Sequence, residues 1–184
     1  RGGASDCMAY VLEHHVLESC CALACRDRPR GMRRLVLIAL GTLIKGVSRP
    51  LLPHVTLHQA VGDLLLAVTE PEDVMSVEYY ALLNAVSQRV SAAPHQLSFL
   101  VGDDGRFPLL TGLQRRLRQS QMREEVSRRA LVQVLGAVAE VAAADPRPAE
   151  CVLRLGLAND VAELLAQDFR RLQEAAARAG GAEG

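Results

Sequence analysis

Apolar and polar positions in this chain recur with the period of a helix, and no segment alternates over the length of a strand. Met8, Val11, Leu12, Val16, Leu17, Cys20, Cys21 and Leu23 keep to the three-to-four spacing that lines one helix face. With Asp6 as its cap, this pattern predicts a first helix from Asp6 to about Ala24. A second is predicted from Met32 to Val47. There Leu35, Val36, Ile38, Ala39, Leu40, Leu43 and Ile44 leave so little polar surface that the helix should be central. His54–Val68 reads as a third helix and Pro71–Val90 as a fourth, with Val74, Met75, Val77, Leu82, Leu83 and Val86 facing inward. Pro71 suits a first helical turn. A short helix at Gln96–Val101 leads into the turn Gly102–Gly105. Phe107–Arg118, Glu124–Ala144, Ala149–Leu157 and Asp160–Ala179 follow, the last capped by Asn159.

Proline and glycine fall between these segments, at spacings that suit helical hairpins. The fold class expected is all-α, an armadillo- or HEAT-like α-solenoid segment with a period of about 40 residues per helix pair. Residues 1–179 are expected to form one helical repeat domain, a fragment of a longer chain, and 180–184 a flexible tail.

Composition narrows the class further. The chain is 49% hydrophobic and 3% aromatic, with 21 basic and 21 acidic side chains. Such apolar content excludes a disordered chain. Zero net charge lacks the overall basicity of a dedicated nucleic-acid binder, and no apolar run approaches the ~20 residues that cross a bilayer. The charge is banded, however. Residues 1–60 carry eight basic and four acidic side chains, 61–104 one and seven, 105–144 seven and three, and the remainder five and seven. Alternating bands favour charge-complementary contacts, either within an assembly or with a partner. The five cysteines, without a secretory signal, are expected to be reduced thiols in the cytosol.

Candidate chemistry is sparse. His14, Glu18, Cys21 and Cys25 share one helix face and are zinc-ligating types, but one straight helix does not wrap four ligands around an ion, and buried cysteine packs as a small hydrophobe. His14, His15, His54 and His58 could each serve as a base, yet no nucleophile elbow, P-loop or zincin motif accompanies them. No catalytic, cofactor-binding or metal residue is assigned. The arginines at Arg28, Arg30, Arg33 and Arg34, and those at Arg115, Arg116 and Arg118, form two basic clusters that could meet an acidic partner. Neither is interleaved with aromatics for base stacking.

Particular words then matter more than patterns. Cys7-Met8-Ala9-Tyr10-Val11-Leu12-Glu13-His14-His15-Val16-Leu17-Glu18 is followed by Pro29-Arg30-Gly31-Met32, and then by Pro50-Leu51-Leu52-Pro53-His54-Val55 with His58. In order and spacing, residues 7–66 resemble the amino-terminal region of the FTS- and Hook-interacting protein family, with Arg49 where the family has Gln. The resemblance implies a non-enzymatic adaptor scaffold without cofactor. Its partners would be a Hook-type adaptor, an FTS-like protein and a Rab GTPase, linking dynein machinery to vesicles. The location implied is cytoplasmic, peripheral on endosomes. The matched residues Gly31, Met32, Pro50, Leu51, Leu52, Pro53 and His54 look structural: turn, helix-to-helix corner and core insertion. A structural solenoid subunit of another assembly, ciliary or ribonucleoprotein, is the alternative.

Overall fold

The computed structural model describes residues 3–47, 51–102, 104–119 and 125–180. Every regular element among them is helical. The predicted first helix is two, α1 (Gly3–Glu13) and α2 (Val16–Cys25). The break falls at His15, whose φ of 53° is left-handed; a β-carbon makes that conformation costly, and a helix does not run through it. Because α1 starts at Gly3, Asp6 lies within the helix and is not its cap.

The α2–α3 corner is tightly built. Asp27 accepts hydrogen bonds at Oδ1 from the backbone N–H of Gly31 (3.0 Å) and of Arg33 (2.9 Å), tying the turn to the start of α3 (Met32–Gly46). Gly31 stands at φ 89°, where a side chain would be strained. Leu51 and Leu52 are buried, as their place in the sequence predicts, ahead of α4 (Val55–Ala67), and His54 holds the cap position in extended conformation. Pro50 lies outside the described residues.

The predicted Pro71–Val90 helix is also two. A single turn, α5 (Pro71–Val74), is followed by α6 (Val77–Ala92), and Ser76 caps the latter by accepting from the Tyr79 N–H at 3.2 Å. The new start turns Val77 outward, 75% exposed, against its predicted core position. The short predicted helix is a 3₁₀ helix at Pro94–Leu100. Then come α7 (Pro108–Gln119), α8 (Glu125–Val141), α9 (Arg147–Arg154) and α10 (Leu157–Gly180). Gly156, at φ 66°, makes the last break, so Asn159 sits in the first turn of α10 and not at its cap.

These helices pack in two rows. α3 lies on α6 and α6 on α8; alongside, α2 lies on α4 and α4 on α7, with α2·α3, α6·α7 and α7·α8 contacts joining the rows. Leu40, Ile44, Leu64, Leu82, Leu83, Leu113 and Val134 are buried between them. Each such side chain contributes about 1.5–3 kcal/mol through burial. Helices α6 and α7 approach closely at Gly112 of α7, where a Cβ would sit 2.6 Å from the Tyr79 hydroxyl. That buried hydroxyl donates to the Leu65 carbonyl at 3.2 Å, which fixes the ring against the end of α4.

The central position expected of α3 is only half met. Val36, Leu37, Leu40 and Ile44 are buried, whereas Leu35 is 64% and Ile38 46% exposed. An almost wholly apolar helix does not reveal which face its neighbours cover.

Candidate interaction surface

The last carbonyls of any helix lack intrahelical donors and carry the negative end of its dipole. Here a side chain from another helix supplies them repeatedly. Arg33 donates to the Ala24 (3.2 Å) and Cys25 (3.1 Å) carbonyls, closing α2. Arg89 donates to Ile44 O at 2.7 Å and to Val47 O, closing α3. Arg115 reaches Leu66 O (2.9 Å) and Val68 O (3.0 Å), closing α4. Arg116, only 4% exposed, donates to Val74 O (2.8 Å) and Ser76 O (3.3 Å) at the end of α5, and lies over the Tyr80 ring at 4.8 Å. Gln114 donates to Leu155 O at 2.9 Å, just past α9.

Of the second basic cluster, Arg118 alone is exposed. Arg115 and Arg116 are turned to helix ends, and Arg118 donates to both oxygens of Asp160 at 3.1 and 3.0 Å. In the first cluster Arg33 is paired with Asp73, and Arg34 with Glu78 at 2.8 Å. Arg128 joins Asp168 at 2.5 Å. The alternating charge bands thus meet inside the molecule. Arg26, Arg28 and Arg30 stay exposed at the α2–α3 corner, and among the described residues they form no salt bridge. Asp27, between them, is committed to the turn; the backbone N–H groups of Arg33 and Gly31 lower its pKa. Arg89 and Gln114 went unnoticed in the sequence, although Arg89 is the lone basic residue of an acidic band.

Two of the cavities that adjoin α4 hold His58 and the α2 cysteines. The larger, about 540 Å³, lies between α4 and the 101–108 loop, lined by His58, Asp63, Phe99, Arg106 and Arg147 among others. His58 Nδ1 stands 3.0 Å from the Leu52 carbonyl, and its ring stacks on Phe99 with centroids 5.9 Å apart. Arg106 is paired with Asp104, and Arg147 with Asp145 at 2.8 Å. Arg147 holds Asp145 well below the usual carboxylate range. Within this lining His58 is thus held on a backbone carbonyl, and Arg106 and Arg147 on the carboxylates of Asp104 and Asp145.

The smaller cavity, about 240 Å³, is lined by Glu18, Cys21 and Cys25 of α2 and by Asp63 of α4. Burial, and then the neighbouring Cys25, push the Cys21 thiol up to about 12. It is therefore held as a thiol and not as the thiolate that metals and electrophiles need. His14 lies in the α1–α2 break, away from the helix face it was expected to share. Among the described residues no three His, Cys, Asp or Glu side chains are grouped to hold a metal ion.

Large apolar side chains are also turned outward. Besides Leu35 and Ile38 of α3, α10 presents Leu165, Phe169 and Leu172 to solvent at spacings of four and three, the stripe by which a helix meets another surface. No described helix is long and apolar enough to cross a membrane.

No solved structure matches the chain significantly. The sequence model of the retinoic acid induced 16-like proteins, by contrast, matches residues 7–135. That range contains the words at 7–66 which resemble the FTS- and Hook-interacting family, and the match corrects that assignment. Extending over well more than half of the sequence, it establishes that the chain belongs to the retinoic acid induced 16-like family.

Proposed function

We propose that this chain is a non-enzymatic α-solenoid scaffold whose outer helix faces receive protein partners. The observation that carries the reading is the division of labour among side chains. Buried and half-buried polar groups hold helix ends, while α3 and α10 expose Leu35, Ile38, Leu165, Phe169 and Leu172 among their outward side chains. Exposed apolar stripes of this kind mark interaction sites more often than chance surface. The solenoid part of the reading is supported by spacing. Most of the described side-chain hydrogen bonds between helices, Arg33–Asp73 and Arg89–Ile44 among them, link residues 40 to 49 positions apart, about one helix pair. Contacts confined to the neighbouring repeat are what a solenoid produces.

The test is capture of interacting proteins by the purified chain, against a variant carrying Leu35→Ser, Ile38→Ser, Leu165→Ser and Phe169→Ser. Proteins retained by the wild type and lost by the variant are the expected result. Equal retention by both would remove the reading. The narrower adaptor role, joining a Hook-type adaptor and an FTS-like protein to Rab-marked vesicles, is tested with those three as purified prey. If none is held while other proteins are, the scaffold stands without that role.

A further inference from the structure

The α2–α3 corner carries two features that serve nothing inside the fold, and they adjoin. The first is the exposed stripe of α3: Leu35 and Ile38, continued by Ala39 and Thr42, all outward on a helix whose opposite face is buried on α6. Leu23, 45% exposed in the last turn of α2, flanks the same corner. The second is the charge. Arg26, Arg28 and Arg30 crowd the connection immediately before α3, exposed and without a salt bridge among the described residues, while Arg33 and Arg34 are already taken by Asp73 and Glu78. The one acid in the connection, Asp27, is bound to the turn's own N–H groups. With three arginines against the single carboxylate of Asp27, the corner is net positive at one end, apolar along the adjoining helix, and tied by the Asp27 hydrogen bonds.

Resting on the scaffold reading above, we propose that this corner and the outer face of α3 dock an acidic amphipathic helix of a protein partner. The shape fits that occupant. From Leu35 to Thr42 the stripe covers two turns, about 10 Å, the length over which a docked helix sets its i, i+3, i+4 and i+7 anchors. Charge selects the sequence: carboxylates at the end lying over Arg28 and Arg30 complete ion pairs that the fold leaves open, and a basic or neutral helix would leave them unmet. Helices carry acids preferentially in their first turn, so the partner's N-terminus lies over the arginines and its axis runs parallel to α3. The chemistry disfavours nucleic acid, since no aromatic side chain stands beside these arginines for a base to stack on.

The probe is a displayed library of amphipathic helical peptides ranging from strongly acidic to strongly basic, selected on the full 184-residue chain. Two variants accompany it, Arg28→Glu with Arg30→Glu, and Leu35→Ser with Ile38→Ser. All four positions are exposed, so both variants should keep the wild-type circular dichroism. Enriched peptides should be acidic, with apolar residues in helical spacing. Each variant should weaken their binding by about tenfold or more, and added salt should weaken binding to the wild type more than to the charge-reversed variant. Enrichment of basic or uncharged helices would overturn the proposal. So would acidic peptides that bind all three proteins equally, an outcome that moves the site elsewhere and leaves the scaffold reading intact. If no peptide is enriched, the docking site is overturned, and the scaffold reading is decided separately by the capture experiment, which also probes α10. A parallel arm uses phosphatidylcholine vesicles with and without phosphatidylserine. Binding to the anionic vesicles that both variants abolish, with no peptide enriched, would assign the corner to a membrane surface instead.

Discussion

Arg116 and Arg28 are equivalent in the sequence, each an arginine in a basic cluster, and the structure gives them opposite jobs. Replacing Arg116 by Met keeps most of the packed stem and removes the guanidinium. The Val74 and Ser76 carbonyls then lose donors at 2.8 and 3.3 Å, the Ser127 hydroxyl loses one at 3.2 Å, and the Tyr80 ring loses its cation. Hydrogen bonds to a charged group are worth about 1.5–3 kcal/mol each when well formed, and the longer two count for less. Removing a buried charge also relieves its desolvation, which offsets part of the loss. A net cost of about 2–4 kcal/mol remains. For a domain of this size, that lowers the melting temperature by roughly 4–16 °C. Arg28→Met, at an exposed corner, should change stability by less than about 0.5 kcal/mol. Urea unfolding followed by far-UV circular dichroism reads both, with unchanged slopes as the check that the unfolded states compare. A wild-type midpoint for Arg116→Met, or a shift for Arg28→Met as large as that expected of Arg116→Met, would refute the assignment of these arginines.

Three further outcomes follow from the packing. Leu40→Ala, in the buried face of α3, should cost about 2–5 kcal/mol in the same unfolding assay; a cost near zero would mean that α3 is peripheral. Gly112→Ala should destabilise through overpacking by about 1–3 kcal/mol against a gain of up to about 1 kcal/mol in helix propensity. Combining it with Tyr79→Phe, which removes the hydroxyl that the new Cβ would strike, should recover part of that cost in a double-mutant cycle. For Asp160, burial alone would raise the pKa, but hydrogen bonds from Arg118 and Gln114 outweigh it and lower it. Its contribution is therefore complete above the unfolded value of about 3.9 and lost as pH falls through the lower folded value. Asp160→Asn should be less stable at neutral pH and show a shallower loss of stability below about pH 4.

Most helices could be read from sequence because apolar periodicity and proline placement agree over segments such as His54–Val68. The misreadings share a physical cause. His15 and Ser76 interrupt helices without proline or glycine to mark them, one by a left-handed backbone and the other by a cap that restarts the helix one turn later. In the apolar helix α3, periodicity could not say that Leu37 is covered and Leu35 is not, since that depends on where α6 lies. The arginines were visible as clusters, but a guanidinium serves a partner's carboxylate and a helix's last carbonyls equally well. Only the position of the helix ends, Leu66 and Val68 beside Arg115 for example, separates the two uses. The free corner at Arg28 and Arg30 is thus what remains once the internal uses are identified.

Stitches spanning 40 to 49 residues give the fold a mechanical character. No described long-range side-chain bond ties the first helices directly to the last, so tension applied at the two ends is not shared by the whole set of stitches. It falls on the outermost helix pair, whose release hands the load to the next. Under force such a chain pays out in steps of one pair, each step freeing the outer face of its helices while the pairs behind it stay folded. A chain stitched in this way can therefore lengthen under load and keep its remaining surfaces in place.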